Sequence, residues 1–282
     1  MIFAFGAALA WGVGDLGAAL VSRRVGSLAT VLLVQLAGLI AILAVAAAVR
    51  PSWSGRWTDV ALLVANGVIV AIAYVLHYRA LELGPVALVS PLTSAYAVIP
   101  IALAWLVLGE RIGVGFGLGA ALATAGVVLV TADPRQFGEA AAMRRDGLPY
   151  ALGAMALFGV ATFVLGVVSR HAGWLPTVAL GRVFTVVALV PLFLVRRPAV
   201  GSAGGGIVAA GLLVGVADIL GIMSFARGAQ VAALSVVSAV SATFPLIPFV
   251  GGLVLLRERP AFSQALGVLA VVGGLVLLGL AA

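Results

Sequence analysis

Apolar residues run along this chain in ten blocks of about twenty residues, and the short stretches between them hold most of the charged residues. About twenty helical residues, each rising 1.5 Å, cross a bilayer core of about 30 Å. The pattern therefore predicts an all-α polytopic membrane protein with ten transmembrane helices. The predicted spans are 2–22, 28–49, 58–78, 85–108, 113–132, 148–169, 175–195, 206–226, 232–256 and 261–281.

The composition supports the same prediction, since 64% of the residues are hydrophobic and only 9% are charged. Soluble domains are about half apolar and a quarter charged, so we expect a multi-pass protein of the cell membrane. The net charge of +7 comes from sixteen arginines without any lysine. Because nearly all of them flank apolar blocks, as basic residues flank membrane helices, they argue against nucleic-acid binding.

The two halves of the chain resemble each other. A shift of 148 residues aligns VLGER at 107–111 with LLRER at 255–259, which pairs Glu110 with Glu258 and Arg111 with Arg259. Nearer the start, a shift of 147 residues aligns VSRRVG at 21–26 with VSRHAG at 168–173. The longer shift also pairs Arg79 with Arg227, Ser90 with Ser238, Pro100 with Pro248, Gly119 with Gly267 and Gly126 with Gly274.

This duplication predicts three regions: a first five-helix repeat at 1–132, a polar linker at 133–147 and a second five-helix repeat at 148–282. Five crossings leave the second repeat starting on the opposite side of the bilayer, so we expect the repeats to be inverted. Inverted repeats around a midplane site are a common plan of secondary transporters. We expect the two Glu-Arg pairs to mark the turn before the last helix of each repeat, where they pair locally or cap helix ends.

Three stretches carry a family resemblance: AWGVGD at 10–15, ALELGPVALVSPLTSAYAVIP at 80–100 and LVLGERIGVGFGLGAALATAGVVLV at 106–130. They resemble EamA-type members of the drug/metabolite transporter superfamily. The resemblance implies ten helices in two inverted repeats around a central cavity, and transport of small organic metabolites such as amino acids or drugs, often outward. The second half departs from the pattern, with Arg257 in place of Gly109 and Ala233 in place of Pro85.

Three ionisable residues lie inside the predicted spans: Asp15, Arg182 and Asp218. Charged side chains at membrane depth are costly and usually face the protein interior or a water-filled cavity. At 1.5 Å per residue, Arg182 and Asp218 lie roughly 10 and 12 Å below the same membrane face, so they can meet. Asp218 then either loads and releases protons or serves as the fixed counter-ion of Arg182.

Asp15 lies roughly 10 Å from the opposite face, one helical turn after Trp11. We predict that Trp11 and Asp15 line the cavity, with Asp15 meeting a substrate ammonium group or a proton. Gln35, the repeat partner of Arg182, lies at a depth similar to that of Asp15. We therefore expect one polar cluster in each leaflet, of which only the second carries an arginine.

Other polar residues recur at helical spacing. Asn66, Tyr74 and His77 fall on one face of the third span, where they either line the cavity or form a mildly polar packing face. Ser94 and Ser238 either contact substrate, or bond their own backbone and permit close helix packing. His171 is expected to be solvated at a helix end.

No arrangement of residues suggests catalysis, a cofactor or a bound metal. The glycines of GVGDLG at 12–17 match a dinucleotide fingerprint, but the flanks are apolar membrane sequence and the next acid is Asp59. The sequence therefore predicts a secondary transporter with a small-molecule substrate, driven by protons or by the substrate gradient. A lipid flippase is the nearest alternative, and a channel and a membrane-embedded enzyme are weaker ones.

The side of the membrane on which the chain begins stays open. Ten arginines lie near odd-numbered loops and five near even-numbered loops. The positive-inside rule then puts both termini outside, whereas the family resemblance implies cytoplasmic termini.

Overall fold

The computed structural model describes residues 1–110, 113–131, 146–197, 204–257 and 261–281, and these residues form helices and turns without any strand. The first half contains α1 (Ile2–Val25), α2 (Ser27–Val49), α3 (Trp57–Leu83), α4 (Val86–Ser94), a 3₁₀ turn (Ala95–Ala97), α5 (Val98–Leu108) and α6 (Gly115–Thr131). The second half contains α7 (Leu148–Ala172), α8 (Trp174–Arg196), α9 (Gly205–Val231), α10 (Leu234–Ser241), α11 (Leu246–Val254) and α12 (Phe262–Ala281).

Eight helical segments within the described ranges are long and apolar enough to cross a membrane, with α4 and α5 counted as one segment and α10 and α11 as another. The predicted fifth and tenth spans are also helical. However, α6 has only 17 residues, and the apolar part of α12 is the shorter stretch Ala265–Leu277. The all-helical class is therefore confirmed, while the crossing by α6 and α12 remains a prediction.

The exterior of the helix bundle is apolar, and its mostly apolar interior also buries polar and charged side chains. Large aliphatic side chains such as Ile40 and Leu213, each 69% exposed, point outward. Gln35, Arg182 and Asp218 are all less than a tenth exposed. Soluble proteins place their charged residues outside, so this distribution fits a chain surrounded by lipid.

The fourth and ninth predicted spans, 85–108 and 232–256, each correspond to one candidate membrane span, but the helix in each is interrupted near its centre. The helix α4 gives way to a 3₁₀ turn at Ala95–Ala97, and α10 ends at Ser241 before α11 starts at Leu246. Pro100 and Pro248 lack an N–H, and each ring crowds the carbonyl four residues earlier. Those residues, Tyr96 and Phe244, lie in the two breaks.

The third helix extends past its predicted end at residue 78. Its last turn is polar, and Arg79 Nη1 lies 3.0 Å from Glu82 Oε1. The other oxygen of Glu82 accepts the backbone N–H of Ser27 at 2.9 Å, at the start of α2. The run of apolar residues ends before this turn, so the sequence pattern did not include it. The Arg79–Glu82 ion pair and the contact of Glu82 with the start of α2 stabilise the additional turn.

The backbone bends alike at equivalent positions of the two halves. Every described residue with a left-handed conformation belongs to a pair related by the repeat shifts, and each of these residues lies at or within three residues after the end of a helix. The pairs are Gly26 and Gly173 (φ 82° and 90°), Arg50 and Arg197 (50° and 44°), and Gly109 and Arg257 (67° and 55°). Arg257 therefore keeps the left-handed end despite its side chain, at a cost of about 1 kcal/mol.

The two halves interlock through glycines at equivalent positions. A Cβ atom on Gly67 of α3 would come within 2.7 Å of the Phe184 backbone in α8. Its counterpart Gly215 in α9 would bring a Cβ within 2.6 Å of the Val34 carbonyl oxygen in α2. The third helix of each half therefore lies directly on the second helix of the other half, as small residues permit in membrane bundles.

The last helices of the halves, α6 and α12, pack against each other in the same manner. A Cβ on Gly126 would lie 2.5 Å from the Val271 nitrogen, and one on Gly274 would lie 2.4 Å from the Ala123 nitrogen. These two glycines are the pair that the sequence repeat aligns. At these glycines the backbones of α6 and α12 lie directly against each other.

Candidate functional site: a central cavity

A cavity lies between the halves, surrounded by α1, α3, α7, α8, α9 and the breaks of the fourth and ninth spans. Its volume is about 120 Å³. Its walls are mostly apolar, with a few ionisable and hydroxyl side chains converging on it. The polar lining residues are Asp15, Asn66, Tyr74, His77, Tyr78, Thr93, Tyr96, Thr162, Arg182, Thr185 and Asp218.

Asp15 lies at the centre of one polar group, which we call the Asp15 cluster (Asp15, His77, Ser90). His77 Nε2 lies 3.0 Å from Asp15 Oδ1, and the Ser90 hydroxyl donates to Asp15 Oδ2 at 2.5 Å. The three side chains come from α1, α3 and α4. The Asp15 side chain is 12% exposed, so the carboxylate is largely desolvated but open to the cavity.

Arg182 lies at the centre of a second group, the Arg182 cluster (Gln35, Tyr74, Arg182, Asp218). Its guanidinium donates from Nη2 to Asp218 and from Nη1 to the amide oxygen of Gln35. The Tyr74 hydroxyl donates to Asp218 Oδ1 at 2.5 Å, and the Tyr74 ring centroid lies 5.9 Å from Arg182 Cζ. The Arg182 and Asp218 side chains are 2% and 9% exposed. The predicted meeting of Arg182 with Asp218 therefore occurs.

Gln35 corrects one expectation. Its depth suggested a polar cluster in the leaflet of Asp15, separate from Arg182. Instead its side chain bonds Arg182 directly across the two halves. A depth estimate places a residue along the membrane normal but not around the helix, and equivalent residues of α2 and α8 meet where the halves face each other.

Trp11 lines the cavity one turn before Asp15 and contacts both helix breaks. Its ring meets Tyr96 and Phe244 edge-on, with centroid distances of 6.4 and 6.2 Å and interplanar angles of 80° and 78°. Gly221 of α9 makes room for this ring, because a Cβ there would lie 2.5 Å from the indole. The aromatic wall beside Asp15 thus receives one side chain from each half at equivalent positions.

The other predicted site residues divide into two sets. Asn66 and His77 line the cavity together with Tyr74, on the predicted face of α3. Ser94 and Ser238 are buried but do not lie among the described lining residues. Ser94 donates to the carbonyl of Pro91 at 2.7 Å, the backbone contact weighed as the alternative to a substrate role. The substrate roles of all these residues remain predictions.

The ionisable residues that line the cavity differ chemically from the residues at equivalent positions in the other half. Each ionisable residue of the cavity has a neutral counterpart under the repeat shift. Asp15 corresponds to Thr162, Asp218 to Val70, Arg182 to Gln35 and His77 to Phe225. The backbone has kept its duplicated form, whereas each ionisable group of the cavity occurs in one half alone.

Comparison with known proteins agrees with this architecture. The sequence model of the EamA-like transporter family matches residues 1–132 and 145–280, which is nearly the whole chain in two parts. The chain belongs to the EamA-like transporter family. It is therefore a membrane transporter of the drug/metabolite transporter superfamily.

Solved structures share the fold of this EamA-like chain. One crystal structure, described as "Crystal structure of protein", superposes with a TM-score of 0.71 at 17% sequence identity. The match covers 99% of this chain and 96% of the other. At that identity the likeness concerns the fold alone. No curated protein matches the sequence.

Glu110 of the EamA-like chain has a larger structural part than the sequence predicted. Local pairing and helix capping were the two alternatives, and its carboxylate caps a helix, but one in the other half of the chain. It accepts the backbone N–H groups of Leu234 and Ser235 at 3.0 and 3.1 Å, the Ser235 hydroxyl at 2.7 Å and Arg170 Nη2 at 2.6 Å. It therefore caps α10 of the second half. Arg111, Glu258 and Arg259 lie outside the described residues.

The surroundings of Glu110 lower the pKa of its carboxyl group. Burial raises the pKa of the carboxyl, but the Ser235 and Leu234 hydrogen bonds and the Arg170 guanidinium together lower it below its ordinary value of 4.5. A lowered folded-state pKa means that the ionised group stabilises the fold above pH 4.5 and loses this contribution as the pH falls through the folded pKa. The contact thus ties the stability of the EamA-like fold to pH on the acid side.

We expect Glu110→Gln to lower stability at pH 7 by about 2 kcal/mol, because charge-assisted hydrogen bonds are lost. The melting temperatures of the native and variant proteins should differ at pH 7 and converge only as the pH falls through the folded-state pKa of Glu110, below 4.5, where its carboxyl becomes protonated. Differential scanning fluorimetry of the detergent-solubilised proteins across pH measures this. A gap that stays constant down to acid pH would contradict it.

His171 also departs from expectation, since it is not simply solvated. Its Nε2 lies 2.8 Å from Asp59 Oδ1, and Asp59 is almost fully buried at the start of α3. The pair does not line the cavity. Among the described residues, no three His, Cys, Asp or Glu side chains come together as a metal site requires.

Sequence reasoning missed several lining residues. Tyr96 and Phe244 line the cavity because they lie in the two helix breaks. The aligned Pro100 and Pro248 are the sequence signal for a break in each half. The Asp15 contacts with His77 and Ser90 leave no trace in sequence spacing, because they join three helices. The resemblance to EamA-type proteins predicted the central cavity but not these contacts.

Proposed function

We propose that this chain is a secondary transporter of the cell membrane that moves a small organic metabolite, an amino acid or drug-like molecule, outward by alternating access. The two five-helix repeats would rock about the central cavity and open it to one side at a time. Transport would draw on a proton gradient or on the substrate gradient itself. The membership of the family supports the transporter class.

One observation carries the proposal: a partly polar cavity between the two halves, at membrane depth. Buried ionisable groups in membrane segments are costly and occur mainly where they bind a substrate or ion. Here Asp15 and the Arg182 cluster face the same space. Inverted-repeat transporters place their substrate between the repeats near the bilayer midplane.

Counterflow in liposomes tests the transport activity. Purified protein is reconstituted into vesicles loaded with one unlabelled metabolite from a panel of amino acids, amines and nucleosides, and uptake of its labelled form is followed. We expect saturable uptake that exceeds the uptake without internal substrate. Linear uptake without exchange would indicate a channel, and consumption of a lipid substrate would indicate an enzyme. Either result would contradict the proposal.

A further inference from the structure

We infer that the Asp15 cluster binds the ammonium group of an aromatic amine that carries no free carboxylate. This assignment of a substrate class rests on the proposed transport function. The ammonium would lie against the Asp15 carboxylate, and the aromatic body would lie against the rings of Trp11, Tyr96 and Phe244.

The charge balance of the cavity favours a cation. Its described lining residues include two carboxylates, Asp15 and Asp218, and one guanidinium, Arg182. Arg182 and Asp218 neutralise each other in an ion pair. Among the described residues, the Asp15 carboxylate contacts a histidine ring and a hydroxyl but no guanidinium.

The Asp15 carboxylate has room for a further donor. From the described residues each of its oxygens has one contact, Oδ1 with His77 and Oδ2 with Ser90. A carboxylate accepts about four hydrogen bonds, so two positions are left. Its 12% exposure is toward the cavity that it lines.

The cavity offers little to a substrate carboxylate. Arg182 is its one described guanidinium, and that group already donates to Asp218 and to Gln35. A second carboxylate would have to displace Asp218 from a pair that is almost fully buried. Removing one partner of such a pair leaves an uncompensated charge. An amino acid should therefore bind more weakly than the corresponding amine.

The walls near Asp15 suit an aromatic body. Trp11 lies one turn from Asp15 on α1, and Tyr96 and Phe244 meet it edge-on from the two helix breaks. Phe158 lies 5.7 Å from the His77 ring, between centroids. Cations are attracted to aromatic faces within about 6 Å, and aromatic groups pack well against one another.

Three indole compounds test the inference, because they share one ring and differ in charge. Tryptamine carries only an ammonium, tryptophan carries both groups, and indole-3-propionate carries only a carboxylate. Binding to the detergent-solubilised protein is measured by isothermal titration calorimetry at pH 7.5. We expect tryptamine to bind about tenfold or more tighter than either of the others.

A matched pair of variants locates the site. We expect Asp15→Asn to weaken tryptamine binding about tenfold or more, since a charge-assisted contact becomes neutral. Asp59→Asn removes the same charge from another Asp-His pair outside the cavity and should leave binding unchanged. Size-exclusion elution and helical circular dichroism check that both variants are folded. If Asp15→Asn does not fold, the titrations of the native protein with the three indole compounds still test the inference.

The outcomes separate this inference from the transport proposal. Equal or tighter binding of tryptophan or indole-3-propionate, no binding of tryptamine, or undiminished binding to folded Asp15→Asn would each overturn the amine assignment. Counterflow of tryptophan without tryptamine would do the same and leave transport standing. Asp15-dependent tryptamine binding without any flux would support the site and overturn the transport proposal.

Discussion

Replacing Arg182 with methionine is expected to lower the free energy of unfolding by about 3 to 5 kcal/mol. The guanidinium is 2% exposed and pairs with Asp218, which has no other cationic partner among the described residues. Removing it leaves Asp218 as a buried carboxylate whose remaining donor, within the described part of the chain, is the Tyr74 hydroxyl. Reversible unfolding in mixed detergent and dodecyl sulfate micelles, followed by circular dichroism, measures the loss.

The double variant Arg182→Met, Asp218→Leu should be less destabilised than the sum of the two single variants, since it leaves no unpaired charge. Arg24→Met is the matched control, because Arg24 is exposed in the last turn of α1. It should change stability by less than about 0.5 kcal/mol. Additive losses in the double variant would show that the pair is not energetically coupled.

Gly126→Ala is expected to cost about 1 to 3 kcal/mol, because the new methyl group would lie 2.5 Å from the Val271 nitrogen in α12. Helix backbones cannot move aside as a flexible side chain can, so α6 and α12 must separate. Gly274→Ala should have a similar effect, with its methyl group 2.4 Å from the Ala123 nitrogen. Thermal unfolding of the purified variants measures both.

Gly117→Ala on the same helix is the control. No atom of the described residues lies within 4 Å of a Cβ at that position, so the change should be neutral or stabilise the helix by up to about 1 kcal/mol. A destabilisation by Gly117→Ala equal to that by Gly126→Ala would indicate that α6 tolerates no alanine at all. The packing explanation would then be wrong.

Much of the fold follows from the sequence because membrane helices are apolar over a fixed length. Arg182 and Asp218 were paired correctly, since two buried opposite charges at one depth have few other partners. Gln35 was misplaced, because depth says nothing about the direction of a side chain around its helix. Glu110 could not be assigned, since its partners lie 124 and 125 residues along the chain.

The helix breaks show a different limit. Pro100 and Pro248 are visible in the sequence, yet proline in a membrane helix can bend it slightly or interrupt it, depending on the neighbouring helices. The interruptions, and the entry of Tyr96 and Phe244 into the cavity, depend on packing against α1. Gly12 illustrates this, since a Cβ there would lie 2.8 Å from the Phe244 carbonyl oxygen.

The duplicated backbone has a consequence for the direction of transport. If the halves are inverted copies that exchange conformations, the packing in the state open to one side would be repeated in the state open to the other. The scaffold itself would then have no thermodynamic preference for either side. Any bias would come from the few positions where the copies differ, such as Asp15 against Thr162 and Arg182 against Gln35. In such a carrier, exchanging the residues within these pairs would reverse the favoured direction of transport.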